Sequence, residues 1–378
     1  MKFKEKIKFF NIVSFFLGVL AFLPRGGGAI EGNKEPSLEN KIGSMLMMGF
    51  KGSTLQEDST LSLKECLREG KVGGVILYRH NVENPDQLKA LVDGLKEGLT
   101  KKVFIAVDQE GGRVQRLREE NGFTVFSPSA QQVAATLSPE AAKEAYSITA
   151  QELKKYGINV NLGPVSDLNP IDYVCPVIGG IERSYGSDVD KVVEYNKAFV
   201  QAHSEAGILS AAKHYPGHGY AKGDTHKGFV NITETVSPLE MSPFLKLIEW
   251  GQLPMIMTAH VTNTNVDPTY PATLSKAHLK PLRDAFSGLV VTDALDMGAI
   301  KENFGLKKVL EKAINAGCDL LLFSNNPAAA SKVENFSIDP HLPEKIINIV
   351  IKLINKGKIS SQRIEESYQR IEKALSLV

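Results

Sequence analysis

Beyond residue 36 the chain alternates two patterns: short runs of consecutive apolar residues, and longer stretches in which apolar positions recur every three or four residues. Eight of the short runs read as strands buried on both faces: SMLMMGF (44–50), VGGVILY (72–78), KVFIAVD (102–108), INVNLGPV (158–165), ILSAAKH (208–214), PMIMTAH (254–260), LVVTDA (289–294) and DLLLFS (319–324). Between them, residues 84–99, 139–156, 189–206 and 306–317 carry the helical period. Alternation of this kind predicts an α/β fold with a parallel sheet. Eight strand-helix units with no internal linker rich in Pro, Gly or Ser predict a single (β/α)8, TIM-like barrel rather than a doubly wound sheet. Two more helical stretches between Pro340 and Val378 are expected on the barrel exterior.

The polar residues test that register. Asp108 ends the third run, Lys213 and His214 end the fifth, His260 ends the sixth, and Asp293 is next to last in the seventh. In a barrel these positions share the C-terminal face, where active sites are built.

Directly after the fifth run comes KHYPGHGYAKGDTHKG (213–228), which places three of the eight histidines, His214, His218 and His226, beside Asp224. In an extended loop, side chains two residues apart project to the same side, so Asp224 and His226 are expected to hydrogen-bond. A carboxylate touching imidazole raises its pKa and fixes its tautomer, which makes a proton-transfer pair. Glycines at 217, 219, 223 and 228 mark the segment as a loop able to bend.

Three further segments offer chemistry. Asp293 lies in GLVVTDALDMGAI (288–300), where a carboxylate can be a nucleophile, a metal ligand or a helix N-cap; Asp296 is the better first-turn residue, which leaves Asp293 free to face a pocket. Asp108 opens DQEGGRVQR (108–116), with Arg113 and Arg116 at helical spacing, and suits either sugar hydroxyls or an Asp–Arg pair. Arg183, in IGGIERSYG (178–186), belongs to the long loop after the fourth run and can reach a substrate or staple the loop. The histidines with Asp293 also invite a metal-dependent amidohydrolase reading. An HxH pair on the first strand is missing, however, and Lys213 beside His214 disfavours a cation, so no metal is expected. His218 and His260 read as structural.

The N-terminus changes the picture of location. Lys2, Lys4, Lys6 and Lys8 precede an apolar stretch from Phe9 to Leu23, then Pro24, Arg25 and a glycine run ending at Ala29. This order reads as a secretory signal peptide (1–29) cleaved after Ala29, the alternative being an uncleaved membrane anchor; the catalytic barrel would span 30–378. The whole chain has formal net charge +1; removing five basic residues and one acidic leaves −3, which gives no electrostatic case for nucleic acid. Membrane contact is expected only if the segment stays uncleaved. Cys66, Cys175 and Cys318 are too few and scattered for a disulfide framework, though one bridge is open to them.

Taken together, KHYPGHG with DTH four residues on, VDQEGGRVQR, IERSYG, MTAHV, PATLS and VVTDALDM in this order resemble glycoside hydrolase family 3, and within it the β-N-acetylhexosaminidase branch associated with peptidoglycan turnover. The resemblance covers roughly residues 40 to 375. It implies a retaining double displacement with Asp293 as nucleophile, His226 as acid/base and Asp224 orienting it. It further implies that Asp108, Arg116, Arg183, Lys213 and His214 hold a GlcNAc unit of a glycan or muropeptide, with Arg113 and Met297 as lesser candidates, no cofactor, and a monomer. A histidine that is neutral after giving up its proton repels an anionic acceptor less than a carboxylate would. A glycoside phosphorylase on the same site is therefore the nearest alternative, and a non-catalytic sugar-binding barrel a more distant one.

Overall fold

All eight predicted runs contain a strand. The computed structural model describes residues 35–325 and 338–378; the basic, apolar N-terminal segment lies outside them. Among the described residues ten strands occur: β1 (Leu46–Met48), β2 (Gly74–Leu77), β3 (Phe104–Val107), β4 (Val160–Asn161), β5 (Leu209–Tyr215), β6 (Val230–Asn231), β7 (Met255–Thr258), β8 (Val261–Thr262), β9 (Leu289–Val291) and β10 (Leu321–Phe323). Eight of them form a parallel sheet in the order β10-β1-β2-β3-β4-β5-β7-β9. A parallel bridge between Val291 and Leu320 brings its two ends together, so the sheet curls into a TIM-like barrel. The strands are buried along their whole length, which is why they appear in the sequence as unbroken apolar runs.

Helices follow the strands. Pro85–Lys96, Pro139–Lys155, Val189–Glu205 and Leu306–Ala316 fall within the predicted stretches, and Asp58–Arg68, Ser242–Trp250 and Lys276–Ala285 complete the outer layer. Asn84 and Ser138 each cap a helix whose first residue is proline, where a missing N–H costs nothing. The two C-terminal helices, Leu342–Asn355 and Ser361–Leu375, pack outside the barrel. Asp319, fully buried at the start of the last strand run, anchors the second of them: it accepts from Arg363, Ser367 and Arg370 on that helix, and from Arg283 and the Val290 N–H.

The three cysteines are free and buried, and burial pushes the Cys318 thiol up to about 12 and the Cys175 thiol to about 11. No helix among the described residues is long and apolar enough to cross a membrane.

Candidate active site

The rim of the site begins where β3 ends. Gly111 and Gly112, at φ 96° and 56°, fold the chain back on itself, and a Cβ on Gly111 would lie 2.4 Å from the Pro128 carbonyl oxygen, so a larger residue is excluded on both counts. The segment is a turn with an antiparallel bridge between Gly111 and Val114, not the helical turn that the spacing of Arg113 and Arg116 suggests. The buried amide of Gln109 organises it, its Oε1 accepting from the N–H groups of Arg116 and Leu117. As a result Arg116 turns inward to Asp108 at 3.0 Å, with its guanidinium over the Tyr78 ring, while Arg113 is exposed.

Lys213 links Asp108 to a residue that sequence reasoning missed. Its Nζ lies 3.0 Å from Asp108 Oδ1 and 2.5 Å from Glu110 Oε1. Glu110 also accepts two hydrogen bonds from one edge of the Arg183 guanidinium, Nε to Oε2 and Nη2 to Oε1, each at 2.8 Å. Burial opposes every charge in this network, yet mutual pairing wins: Lys213 stays above its ordinary pKa, and Asp108 and Glu110 fall below theirs. Within this network three cations, Lys213, Arg116 and Arg183, face two carboxylates. Arg183 therefore serves as a loop staple through Glu110 and the Val177 carbonyl, while also reaching His214 Nε2 at 3.3 Å.

A second missed carboxylate sits beyond β4. Asp167 is fully buried and accepts from His214 Nδ1 at 2.6 Å, from the His214 N–H at 3.2 Å and from the His218 N–H at 2.8 Å. This places the His214 proton on Nδ1 and leaves Nε2 as an acceptor. His218 is buried, and burial brings its pKa down to about 4, so it is neutral packing material beside Cys175 and Thr225, as expected.

Asp224 and His226 do meet, with Nδ1 2.8 Å from Oδ1. Their contact does not come from extended backbone. Asp224 caps a one-turn 3-10 helix, Thr225–Lys227, so the same Oδ1 also accepts the His226 N–H at 3.0 Å. The hydrogen bond that His226 donates to Asp224 is the main cause that raises the His226 pKa; burial opposes it and the nearby Asp293 carboxylate adds to it. Asp224 is held down to about 2, first by the same hydrogen bond. The imidazole is half-exposed.

The glycines of this loop are not all free hinges. A Cβ on Gly217 would lie 2.5 Å from Glu240 Cβ, and one on Gly219 only 1.8 Å from the Leu168 carbonyl oxygen. They allow close packing at the loop's root.

Asp293 stands just past β9, partly exposed, with Oδ1 accepting from the Ala294 N–H at 2.7 Å. Burial works against its charge, but His260, His214 and His226 around it outweigh that and hold its pKa below the usual carboxylate value. His260 is fully buried with Nε2 2.9 Å from the Ala294 carbonyl oxygen, so it buttresses the residue after Asp293. Asp296 does not start the following helix: it accepts from the N–H and hydroxyl of Ser324 and the N–H of Asn325, tying this loop to the end of β10. Met297 is buried in the core. Among the described residues no group of three His, Cys, Asp or Glu side chains is spaced to hold a metal ion.

The site thus joins a carboxylate kept ionised to an imidazole kept protonatable, over a rim of fixed hydrogen-bonding charges. Residues 37–374 match the model of the glycosyl hydrolase family 3 N-terminal domain. The chain belongs to glycosyl hydrolase family 3. Its relatives include a β-hexosaminidase of Tolumonas auensis, 35% identical over 292 residues that cover 75% of this chain and 84% of the relative. A β-hexosaminidase of Haemophilus influenzae is 34% identical over 87% of this chain and 95% of its own length. Among solved structures, a family 3 β-N-acetylglucosaminidase from Paenibacillus sp. superposes with TM-score 0.76 at 30% identity, over 90% of this chain and 63% of that one. The chain therefore spans under two thirds of that protein. A β-N-acetylhexosaminidase from Beutenbergia cavernae superposes with TM-score 0.78 at 26% identity over 91% and 100%.

Asp108, Lys213, His214, His260 and Asp293 lie at the ends of β3, β5, β7 and β9, whereas Arg113 and Met297 stand apart from them. Glu110 and Asp167 carried a signal close to that of Asp108 and Asp293, a carboxylate at the end of an apolar run, but each lies two residues past its run.

Proposed function

We propose that this protein is a retaining exo-β-N-acetylglucosaminidase that removes terminal, non-reducing β-linked GlcNAc. The observation that carries it is the Asp224–His226 pair set near an ionised Asp293 in a family 3 barrel whose relatives are β-hexosaminidases. An oxygen of Asp293 attacks the anomeric carbon as the bond to the leaving sugar breaks, and the proton on His226 passes to the departing oxygen. A glycosyl ester on Asp293 results. Water then attacks the same carbon, His226 takes its proton, and the Asp293 carboxylate is released. A positioned acid/base of this kind contributes about 10²- to 10⁴-fold. Asp108, Arg116, Lys213, His214 and Arg183 suit sugar hydroxyls and the acetamido group, since their geometry is set by mutual pairing before substrate arrives.

Peptidoglycan fragments outside the cytoplasm are the proposed substrates, which the basic and apolar N-terminal segment supports by its likeness to an export signal. The test is release of p-nitrophenol from its β-GlcNAc glycoside, abolished by Asp293→Ala and strongly reduced by His226→Ala. Full activity of Asp293→Ala would overturn the mechanism, and GlcNAc-1-phosphate formed on adding phosphate would replace hydrolysis with phosphorolysis.

A further inference from the structure

The loop that carries Asp224 and His226 is held differently at its two ends. Its root is fastened by buried carboxylates: Asp167 accepts the His218 N–H at 2.8 Å and Glu240 accepts the Tyr220 N–H at 3.0 Å. Its tip rests on the short helix Gly298–Lys301, which follows the Asp293 loop. The contact is backbone on backbone. A Cβ placed on Gly298 would lie 2.9 Å from the His226 carbonyl oxygen and 3.3 Å from the Gly228 nitrogen.

We propose that Gly298 is the seat of the acid/base turn, a positioning residue whose missing side chain sets how closely His226 approaches Asp293. This rests on reading His226 and Asp293 as the catalytic pair.

Local conformation gives no other reason for glycine there. Gly298 is not among the residues with positive φ, and it begins a helix, where alanine has the better helix propensity. What an alanine would meet is the turn above it. The atoms it would meet are main chain, not the far end of a side chain that can swing away, so the turn itself has to retreat. Because the root is pinned, that retreat carries His226 away from the nucleophile.

The effect should appear only where the reaction needs the proton. Gly298→Ala is compared with wild type by kcat/KM, which reports the first displacement, on two substrates. Chitobiose has a sugar leaving group that must be protonated, whereas 2,4-dinitrophenyl β-GlcNAc departs without help. A misplacement of a fraction of an ångström predicts about a tenfold loss on chitobiose and less than about twofold on the dinitrophenyl glycoside, with an undiminished thermal midpoint. Equal loss on both substrates, no loss on either, or a variant that does not fold overturns the proposal, since it requires the turn and not the barrel to yield. Wild type inactive on both substrates would instead sink the functional reading itself, and the inference with it. A wild type active on both, with Gly298→Ala indistinguishable from it, sinks the inference alone.

Discussion

Asp167 Oδ2 lies 2.6 Å from His214 Nδ1, and the same carboxylate accepts the main-chain N–H groups of His214 and His218. One fully buried side chain thereby fixes a rim histidine and the first turn of the loop that carries the acid/base pair. Replacement by asparagine keeps the shape but exchanges an acceptor for a donor aimed at N–H groups. Asp167→Asn is expected to cost about 1–3 kcal/mol of stability and at least about tenfold in kcat/KM on an aryl β-GlcNAc glycoside. Thermal denaturation and steady-state kinetics on the same preparation check both.

The pH dependence follows from opposite shifts in the reacting pair. Turnover needs Asp293 ionised and His226 protonated. Asp293 lies below its ordinary 3.8 because three histidines outweigh its burial, and His226 lies above its ordinary 6.5, chiefly through its bond to Asp224. The kcat/KM plateau should therefore reach below 3.8 and beyond 6.5, falling as pH drops through the first pKa and as it rises through the second. Asp224→Asn removes the largest cause of the His226 shift, so the alkaline limb should move to lower pH. An unmoved limb would show that Asp224 does not tune His226.

Glu110 binds Arg183 and Lys213 at once, and none of the three is exposed. Neutralising it leaves two adjacent cations with only Asp108 to answer Lys213. Glu110→Gln should cost about 3 kcal/mol of stability and raise KM several-fold more than it lowers kcat, because the rim that holds the sugar loses its alignment. Urea denaturation with a Michaelis–Menten analysis separates the two effects.

How much of this was legible beforehand depended on burial. The strands could be read because both their faces are apolar, and the site edge could be read because charged residues interrupt those runs at one end. Glu110 and Asp167 escaped notice because their partners, Arg183 and His214, are distant in the chain and meet them only through the barrel. The Asp224–His226 contact was foreseen but its backbone was not, since a capped 3-10 turn and an extended loop can both bring residues two apart together. Asp296 was expected in the first turn of the following helix, a place local sequence favours for a carboxylate, and the end of β10 claims it instead.

Asp319 tests whether fold and chemistry separate. It gathers Arg283, Arg363 and Arg370 where the last strand run begins, at the barrel end opposite the catalytic rim. Asp319→Ala leaves those cations unpaired and should cost about 3–5 kcal/mol of stability. At temperatures where the variant remains folded, KM for an aryl β-GlcNAc glycoside should match wild type.

The central claim is that Asp293 forms the bond to the sugar. A 5-fluoro GlcNAc-type glycosyl fluoride, whose enzyme ester turns over slowly, can be incubated with the protein, quenched in acid and followed by peptide mass spectrometry. The expected result is one glycosyl adduct located at Asp293 and absent from Asp293→Ala. An adduct on another residue, or steady turnover by Asp293→Ala, would contradict the account.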